Sequence, residues 1–297
     1  MSFSFDTKFE ICESIPKNEC CKASMLYGMV LFAQQLSLEQ FKLSTENVVV
    51  VNVLNDLANS ILNFNFNIDE SSNGYFAQIS DQRLKLLFDK FYIDVCGKIN
   101  YSISSVITEK KCCCYSFLKG AFLSGGYIAN PENRYHFEIS TSYYSLAKSL
   151  ESFMQRLGFP AKSVVRKASY VVYMKDSEQI ENFLCYIGAN AAAFSIMNVK
   201  ISKEMNNYSN RLNNTKLHNI EKTLNKSVEQ VKAIMLIQQK VGFDFLQDDL
   251  VEIAKLRLQY PDKSLNELVL LCGNKYSRSG LNRRFNKLIE LASKIQE

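Results

Sequence analysis

The stretch that decides the fold is Leu118–Gly126, which reads LKGAFLSGG. Gly120 and Ser124 lie four residues apart, so they share one face if the stretch is helical. A glycine in a helix interior costs about 1 kcal/mol relative to alanine, which favours a packing reason for Gly120. Small residues on one helix face allow a second backbone to approach closely. The stretch therefore predicts a helix that packs tightly against a partner helix.

The same pattern occurs a second time, 92 residues earlier. In each copy two adjacent cysteines precede a Leu-x-Gly triplet: Cys20-Cys21 with Leu26–Gly28, and Cys112-Cys113 with Leu118–Gly120. A Ser-Thr step at 44–45 and again at 140–141 precedes a helical pattern in both copies. A period near 90 residues is too long for a solenoid. It predicts a duplicated α/β unit that is paired about a pseudo-twofold axis.

Both copies have the same predicted order of elements, α-β-α-β-β-α. In the first copy we expect helices near 20–36, 46–62 and 81–92, with strands at 40–43, 63–68 and 75–79. In the second copy we expect helices near 112–124, 142–157 and 177–187, with strands at 135–139, 161–166 and 170–174. The hairpin turns fall at 71–74 and 167–169. Thr45 and Thr141 are the predicted N-caps of the two middle helices.

The net charge of +5 belongs to the C-terminal third of the chain. Residues 1–205 contain 20 Lys and Arg against 20 Asp and Glu, whereas residues 206–297 contain 15 against 10. A basic surplus on one domain indicates an acidic partner, and nucleic acid is the foremost candidate.

The C-terminal third also carries a helix-turn-helix pattern. A helix is expected from about 226 to 240 and a second at Asp248–Gln259. Ser264 and Glu267 form a predicted capping box for a short helix, and Gly273 supplies the turn. Ser277 or Ser279 is expected to cap a last helix that runs to about residue 295. Its predicted apolar stripe consists of Leu281, Phe285, Leu288, Ala292 and Ile295.

The opposite face of that last helix is polar and basic, as a helix that enters the major groove must be. The residues predicted to contact DNA are Ser277, Arg278, Ser279, Asn282, Arg283, Asn286 and Lys287. The alternative is a solvated basic helix end in a small bundle that binds no DNA.

Five segments along the chain carry a family resemblance: CCCYSFLKGAFLSGGYIANP at 112–131, YHFEIST at 135–141, EQIENFLCYIG at 178–188, NNYSNR at 206–211, and residues 261–288. Together they resemble the WhiA family of bacterial regulators. The duplicated unit that opens with a Leu-x-Gly helix is similar to the LAGLIDADG homing-endonuclease fold. The resemblance implies DNA-binding transcription regulators that act in sporulation in actinomycetes, and in cell division and chromosome segregation in other Gram-positive bacteria.

We therefore expect an α+β fold with three parts. Residues 1–205 form a duplicated LAGLIDADG-like scaffold with pseudo-twofold symmetry and repeats at about 1–104 and 105–205. Residues 206–225 form an Asn-rich connection that is partly helical. Residues 226–297 form an all-α helix-turn-helix domain.

The resemblance also indicates where the endonuclease chemistry would lie. In LAGLIDADG endonucleases an acidic residue near the end of each motif helix binds divalent metal at the scissile phosphate. Aligning the motif with this sequence places those two positions at Ala33 and Gly125, and neither side chain can bind a metal ion. Ser124 and Gln34 beside them are neutral. We predict that the chain is not an enzyme and that it needs no metal or other cofactor.

The sequence alone does not decide whether the scaffold, residues 1–205, still contacts DNA. The cations expected on its strands are Lys42, Lys162, Arg166, Lys167 and Lys175. They suit a DNA-binding saddle, or equally lysines that protect strand edges from aggregation. The zero net charge of residues 1–205 argues for lost or weakened DNA binding. A surface for a protein or a small ligand is also open.

The nine cysteines predict a reduced, cytosolic protein. Five of them lie next to another cysteine, there is no C-x-x-C, and the chain has only two His, so neither a disulfide framework nor a zinc site is expected. Buried packing is the favoured interpretation of Cys20, Cys21 and Cys112–Cys114. No run of about 18 apolar residues exists, so no membrane partner is expected.

The predicted function is sequence-specific binding of double-stranded DNA at promoter regions by a cytoplasmic, nucleoid-associated transcription regulator. The alternative is an interaction protein whose scaffold binds a division or nucleoid protein, with DNA binding secondary.

Overall fold

The computed structural model describes residues 2–72, 74–80, 82–93, 99 and 101–296. The chain divides into two compact units, Met1–Lys203 and Glu204–Glu297. Among the described residues, no helix combines the length and apolar character that crossing a membrane requires. Asn73 of the first predicted turn, Asp81 at the start of a predicted helix, and Cys96 lie outside the described residues.

The first repeat begins with a helix that the sequence did not predict, α1 (Phe3–Glu13), capped by the Ser2 side chain. The elements that follow are α2 (Glu19–Leu31), β1 (Gln35–Leu36), β2 (Phe41–Thr45), α3 (Val48–Leu62), β3 (Asn67–Ser71), β4 (Gly74–Ile79) and α4 (Gln82–Lys90). Asn63 ends α3 in the left-handed conformation, φ 55°, which Asn adopts more readily than other non-glycine residues.

The second repeat has the matching elements in the same order. They are α5 (Lys111–Gly125), β5 (Gly126–Ile128), β6 (Phe137–Thr141), α6 (Tyr144–Arg156), β7 (Lys162–Arg166), β8 (Ser169–Met174) and α7 (Ser177–Tyr186). Each repeat therefore contains one more strand than expected. Strand β1 begins shortly after α2 ends, and β5 directly follows α5. Segments of two and three residues are too short to show strand periodicity.

The strands of each repeat form one antiparallel four-stranded sheet. The spatial orders are β1-β2-β4-β3 and β5-β6-β8-β7, so corresponding strands occupy corresponding places. Phe41 pairs with Ile79 in the first sheet, and Phe137 pairs with Met174 in the second. All four side chains are buried, which fixes the register because a one-residue slip would turn them towards solvent. The two sheets and the helices that cover them confirm the predicted α+β class.

Helices α2 and α5 pack against each other through their small residues, as predicted. A Cβ atom on Gly28 would collide with the backbone of Phe117, and one on Gly120 would collide with the backbone of Met25. The Ser124 Oγ donates a hydrogen bond to the Met29 carbonyl at 2.8 Å across the same contact. The close approach leaves no room for larger side chains at either glycine.

One hydrophobic core runs through both repeats. Tyr27 of the first repeat contacts Phe117 of the second with ring centroids 5.6 Å apart, and Phe117 contacts Phe153 at 5.3 Å. The core cluster includes buried residues from α1 to the beginning of the helix that starts at Asn190. Within the residues that the structure describes, neither repeat has a separate core of its own.

Two local predictions in this unit were wrong. Thr45 and Thr141 are not the N-caps of α3 and α6. Each hydroxyl instead accepts a hydrogen bond from the backbone two residues ahead, and the Asn47 side chain caps α3. Cys20 and Cys112 are exposed rather than buried, because the first turns of α2 and α5 reach the surface.

The C-terminal unit contains the end of one long helix and three shorter ones. They are α8 (Asn190–Lys240), α9 (Asp248–Gln259), α10 (Leu265–Leu271) and α11 (Arg278–Gln296). Residues 206–225, predicted as a partly helical connection, are helical throughout, and the helix expected to begin near 226 begins at Asn190. No Gly or Pro interrupts residues 189–241, and Asn costs well under 1 kcal/mol in a helix, so nothing stops α8 there.

Candidate nucleic-acid interface

In the helix-turn-helix of the C-terminal unit, side-chain caps fix the starts of α10 and α11, and one turn joins the two helices. The Ser264 Oγ accepts from the Glu267 backbone N–H at 3.3 Å, and the Glu267 carboxylate accepts from the Ser264 N–H at 2.8 Å, which confirms the capping box. Gly273 and Asn274 take positive φ values of 63° and 59° and reverse the chain after α10. The Ser277 Oγ then accepts from the Gly280 N–H at 3.1 Å and begins α11.

The capping box has an electrostatic consequence at Glu267. Its carboxylate accepts the Ser264 backbone hydrogen bond and pairs with Lys263 at 3.0 Å. These contacts stabilise the ionised form and lower the pKa of Glu267 to about 2. The start of α10 is therefore held by a charge-assisted hydrogen bond across the neutral pH range.

The turn is fastened to α9 by polar contacts. The Lys275 Nζ lies 2.6 Å from a Glu252 carboxylate oxygen, and the Tyr276 hydroxyl donates to the same oxygen at 2.9 Å. The Arg284 Nε lies 2.8 Å from an Asp249 oxygen, while its guanidinium stacks over the Tyr276 ring at 4.5 Å. The orientation of α11 is thus set by charged pairs as well as by packing.

Helix α11 buries one face and exposes the other. Leu281, Phe285, Leu288 and Ala292 are buried as predicted, while Ile295 at the end of the stripe is half-buried. The Arg257 guanidinium lies over the Phe285 ring at 5.1 Å and donates to the Lys263 carbonyl at 2.6 Å. This buried arginine connects the core beneath α11 to the loop before α10.

The structure places the predicted contact residues on the face of α11 that points away from the core. Ser277, Arg278, Ser279, Arg283, Asn286 and Lys287 are exposed, and Asn282 is half-buried. Lys287 lies at the α9 side, where its Nζ donates to the Gln247 side-chain oxygen at 3.2 Å. Ser277 has a structural task as well, because its hydroxyl caps the helix.

Three of these residues line a groove of about 700 Å³ beside the start of α11: Arg278, Ser279 and Asn282. The other wall is α8, which contributes the exposed cations Lys222 and Lys226. Ser264 at the start of α10 lies in the same groove. The sequence pattern assigns neither lysine a role, because it predicts a connection at 206–225, which contains Lys222, and places Lys226 only at the start of a helix. Their i, i+4 spacing on a helix is nevertheless visible in the sequence.

Two buried side chains at the groove lack partners for one atom each. They are the Gln230 Oε1 and the Arg257 Nε, on residues that are 3% and 2% exposed. The Ser227 hydroxyl in the same wall donates to the Pro261 carbonyl and ties α8 to the loop before α10. The groove wall therefore carries polar and basic side chains at its surface and at its buried end.

The first unit has a polar cavity of about 790 Å³ at the ends of α2 and α5. Ala33 and Gly125, the two positions aligned with the endonuclease acids, line it together with Lys8 and Glu46. Burial lowers the pKa of Lys8 to about 8. The cations predicted on the strands are already engaged in part, since Arg166 pairs with Glu138 at 3.1 Å and Lys42 lies over the Phe76 ring at 4.6 Å.

Two family models match the chain: the WhiA LAGLIDADG-like domain over residues 114–206, and the WhiA C-terminal HTH domain over residues 209–292. A "Probable cell division protein WhiA" of Ruminiclostridium cellulolyticum is 36% identical over 310 residues, which cover 100% of this chain and 99% of the relative. A protein of the same description from Desulfitobacterium hafniense is 36% identical over 308 residues, with 100% and 97% covered.

Among solved structures, the full-length DUF199/WhiA from Thermatoga maritima aligns over 99% of both chains with a TM-score of 0.58 and 22% identity. At that identity the likeness concerns the fold. It extends over both units of the chain.

Proposed function

The chain belongs to the WhiA family, and from that membership we propose that it is a sequence-specific, non-cutting DNA-binding regulator. The observation that carries the proposal is the exposed face at the start of α11. Arg278, Asn282 and Arg283 lie there, off the buried stripe, on a helix whose start is fixed by the Ser277 cap. N-terminal residues of a recognition helix are the ones that contact base edges in the major groove.

The proposed roles differ along α11. Arg283 presents a guanidinium that can donate two hydrogen bonds to a guanine, and Asn282 an amide that can pair with an adenine. Lys287 and the groove lysines Lys222 and Lys226 supply compact charges suited to phosphates. The surplus of five positive charges on residues 206–297 favours this binding and makes it sensitive to salt.

We propose further that the scaffold does not cut DNA. Ala33 and Gly125 offer no carboxylate at the motif-helix ends, and Glu46 is the only acid among the residues described as lining that cavity. One carboxylate beside a lysine lacks the paired acids that would hold metal at a phosphate. Plasmid DNA incubated with the purified chain and Mg²⁺ or Mn²⁺ should stay intact, and reproducible site-specific cleavage would overturn this part of the proposal.

The relatives support a proposal for the cellular role. Those reported above are described as cell division proteins. We propose that this chain acts on DNA in promoter regions as a transcription regulator linked to cell division, chromosome segregation or sporulation. Its place in the cell would then be the nucleoid.

Selection from a pool of random duplexes with the full chain tests the proposal. A preferred sequence should emerge, and its binding should weaken steeply with salt. The triple variant Arg278→Ala/Asn282→Ala/Arg283→Ala should lose the preference, while Lys294→Ala should keep it. Lys294 is an exposed cation on the same helix, about 24 Å along its axis from Arg278 and about 16 Å from Arg283. A chain that selects no sequence, yet binds a division or nucleoid protein through residues 1–205, would support the interaction-protein alternative instead.

A further inference from the structure

Four cysteine thiols meet where α2 and α5 begin. The Sγ atoms of Cys20, Cys21, Cys112 and Cys113 all lie within 4.8 Å of one another. The Cys20 and Cys21 sulfurs are 3.9 Å apart. Cys20 and Cys112 are exposed, while Cys21 and Cys113 are buried, so the cluster reaches from the surface into the protein.

The duplication explains how this cluster forms. Both cysteine pairs occupy the first turn of their helix, and the two helices are held together at Gly28 and Gly120. The Ser24 Oγ donates a hydrogen bond to the Cys113 carbonyl at 2.7 Å and fastens the two first turns to each other. Each repeat thus contributes two thiols to one compact group that is symmetric about the pseudo-twofold axis.

The two helix starts favour anionic ligands at this place. Neither α2 nor α5 has a side-chain N-cap, since Asn18 and Lys110 form no cap hydrogen bond. The partial positive charge of both helix starts therefore acts on the sulfur atoms of the cluster.

We propose that Cys20, Cys21, Cys112 and Cys113 bind one Zn²⁺ ion as a tetrahedral tetrathiolate, although the sequence alone predicts neither a zinc site nor a need for metal. Four sulfur ligands are typical of structural zinc, and soft thiolates select zinc over harder divalent cations. Zn–S bonds of about 2.3 Å place the four sulfurs about 3.8 Å apart. The separations in the structure need only small side-chain adjustments to reach that distance.

Formation of the site needs no oxidant. Four thiol protons pass to solvent as the sulfurs bind the ion, so the oxidation state of sulfur does not change. Two disulfides among the same cysteines would require an electron acceptor, for which a reduced cytosol provides no ready supply. The ion would join the first turns of α2 and α5. These two helices lie in the first unit, whereas the candidate DNA-binding helix α11 lies in the second.

The test uses the full chain, reduced and then equilibrated with zinc sulfate before removal of unbound metal. Elemental analysis should find one zinc per chain, and cobalt sulfate should give the sulfur-to-metal charge-transfer and visible bands of tetrahedral Co²⁺. The variant Cys20→Ser/Cys112→Ser should lose at least about nine-tenths of the bound metal. It removes only exposed thiols, so its circular dichroism should match that of the wild type.

The matched control is Cys185→Ser/Cys272→Ser, which removes two thiols that lie outside the cluster and should retain the metal. Wild-type chain without zinc, or a Cys20→Ser/Cys112→Ser chain that holds as much zinc as wild type, would overturn the proposal. So would an intact mass showing disulfides among the four cysteines in freshly isolated protein, because oxidised sulfur cannot bind the ion.

Discussion

At the scale of single residues, α11 carries two kinds of polar side chain. Some fix the position of the helix, whereas others are exposed and can contact a ligand. Arg284 belongs to the first group, because it pairs with Asp249 at 2.8 Å and stacks on Tyr276. Arg283 is its immediate neighbour and is exposed. Two adjacent arginines therefore have different tasks, and only one is expected to read DNA.

Arg283→Ala should cost about 1–3 kcal/mol of binding to the preferred duplex and relax the preference at one base position. The side chain is exposed and off the buried stripe, so the thermal unfolding midpoint should not change. Titration of the selected duplex and of a random duplex measures both effects. Wild-type affinity for the selected duplex in a folded Arg283→Ala protein would show that this residue does not read a base.

Lys287→Ala should behave differently, because a lysine placed against phosphates carries no sequence information. We expect weaker binding to all duplexes alike, and a slope of log K against log salt that is smaller by about one. The contact of the Nζ with Gln247 is a single exposed hydrogen bond, so the fold should persist. An unchanged salt slope would place Lys287 outside the DNA contact.

The exposed residues of α11 could be predicted because the buried apolar stripe of the same helix has a clear helical period in the sequence. Residues off that stripe are then expected to face outward. Lys222 and Lys226 could not be assigned, since their role depends on α8 passing beside α11, and no local pattern encodes that proximity. The ion pair between Arg284 and Asp249 could not be predicted for the same reason, because the two residues lie 35 positions apart in the sequence.

At the scale of elements, the short helix α10 depends on its capping box. Folding lowers the pKa of Glu267 from an ordinary value of 4.5 to about 2, so ionisation of this carboxyl stabilises the fold. The contribution is fully present above about pH 4.5 and is lost as the pH falls towards about 2. Because the group is exposed, the effect on the unfolding midpoint should be small.

The expected result is a pH-dependent difference between the wild type and Glu267→Gln. At neutral pH the variant should unfold at a lower temperature, and the gap should close as the pH falls from about 4.5 through about 2, where the wild-type carboxyl becomes protonated. Melting curves of both proteins across that range provide the measurement. A gap that stays constant with pH would mean that the charge of Glu267 does not stabilise the cap.

Helix α11 depends on Phe285 more than on any of its exposed residues. The ring is fully buried and lies under the Arg257 guanidinium. Phe285→Ala should cost about 3–5 kcal/mol, enough to unfold a small unit of ordinary stability. Chemical denaturation followed by circular dichroism measures the loss, with the exposed neighbour Asn286→Ala as the control. A loss of under 1 kcal/mol at Phe285 would contradict the packing described here.

The elements of the C-terminal unit were predictable where caps and breakers stand at their ends. Pro261 follows α9, Ser264 and Glu267 begin α10, and Gly273 ends it. Among the elements that were missed, α1 begins with the Ser2 cap, whereas the others have no such signals. Strands β1 and β5 span two and three residues, and α8 passes through the seven asparagines of residues 206–225 without a proline or glycine to end it.

At the scale of the whole molecule, the duplication was visible in the sequence, and its consequence is a shared core. Tyr27 and Phe117 belong to different repeats and contact each other, and Gly28 and Gly120 admit the backbone of the opposite helix. A single repeat would therefore expose the whole contact face of α2 or α5. The division into residues 1–205 and 226–297 joined by a connection stays a prediction, because α8 is continuous across that region.

The fragment 1–104 should fail to fold cooperatively, whereas 1–205 should give a soluble protein with a single unfolding transition. The fragment is expected to bind hydrophobic dyes and to lack near-ultraviolet circular dichroism, the signs of lost side-chain packing. Well-dispersed amide resonances from 1–104 alone would show that the repeats fold independently.

The measurement that tests the central claim most directly is a genome-wide chromatin pull-down with the tagged full chain. If α11 is the DNA-reading element, the protein should be enriched at discrete sites in promoter regions that share a sequence. Arg278→Ala/Asn282→Ala/Arg283→Ala should abolish those sites, while Lys294→Ala retains them. Enrichment that is uniform along the chromosome, or discrete sites that the triple variant still occupies, would contradict the claim.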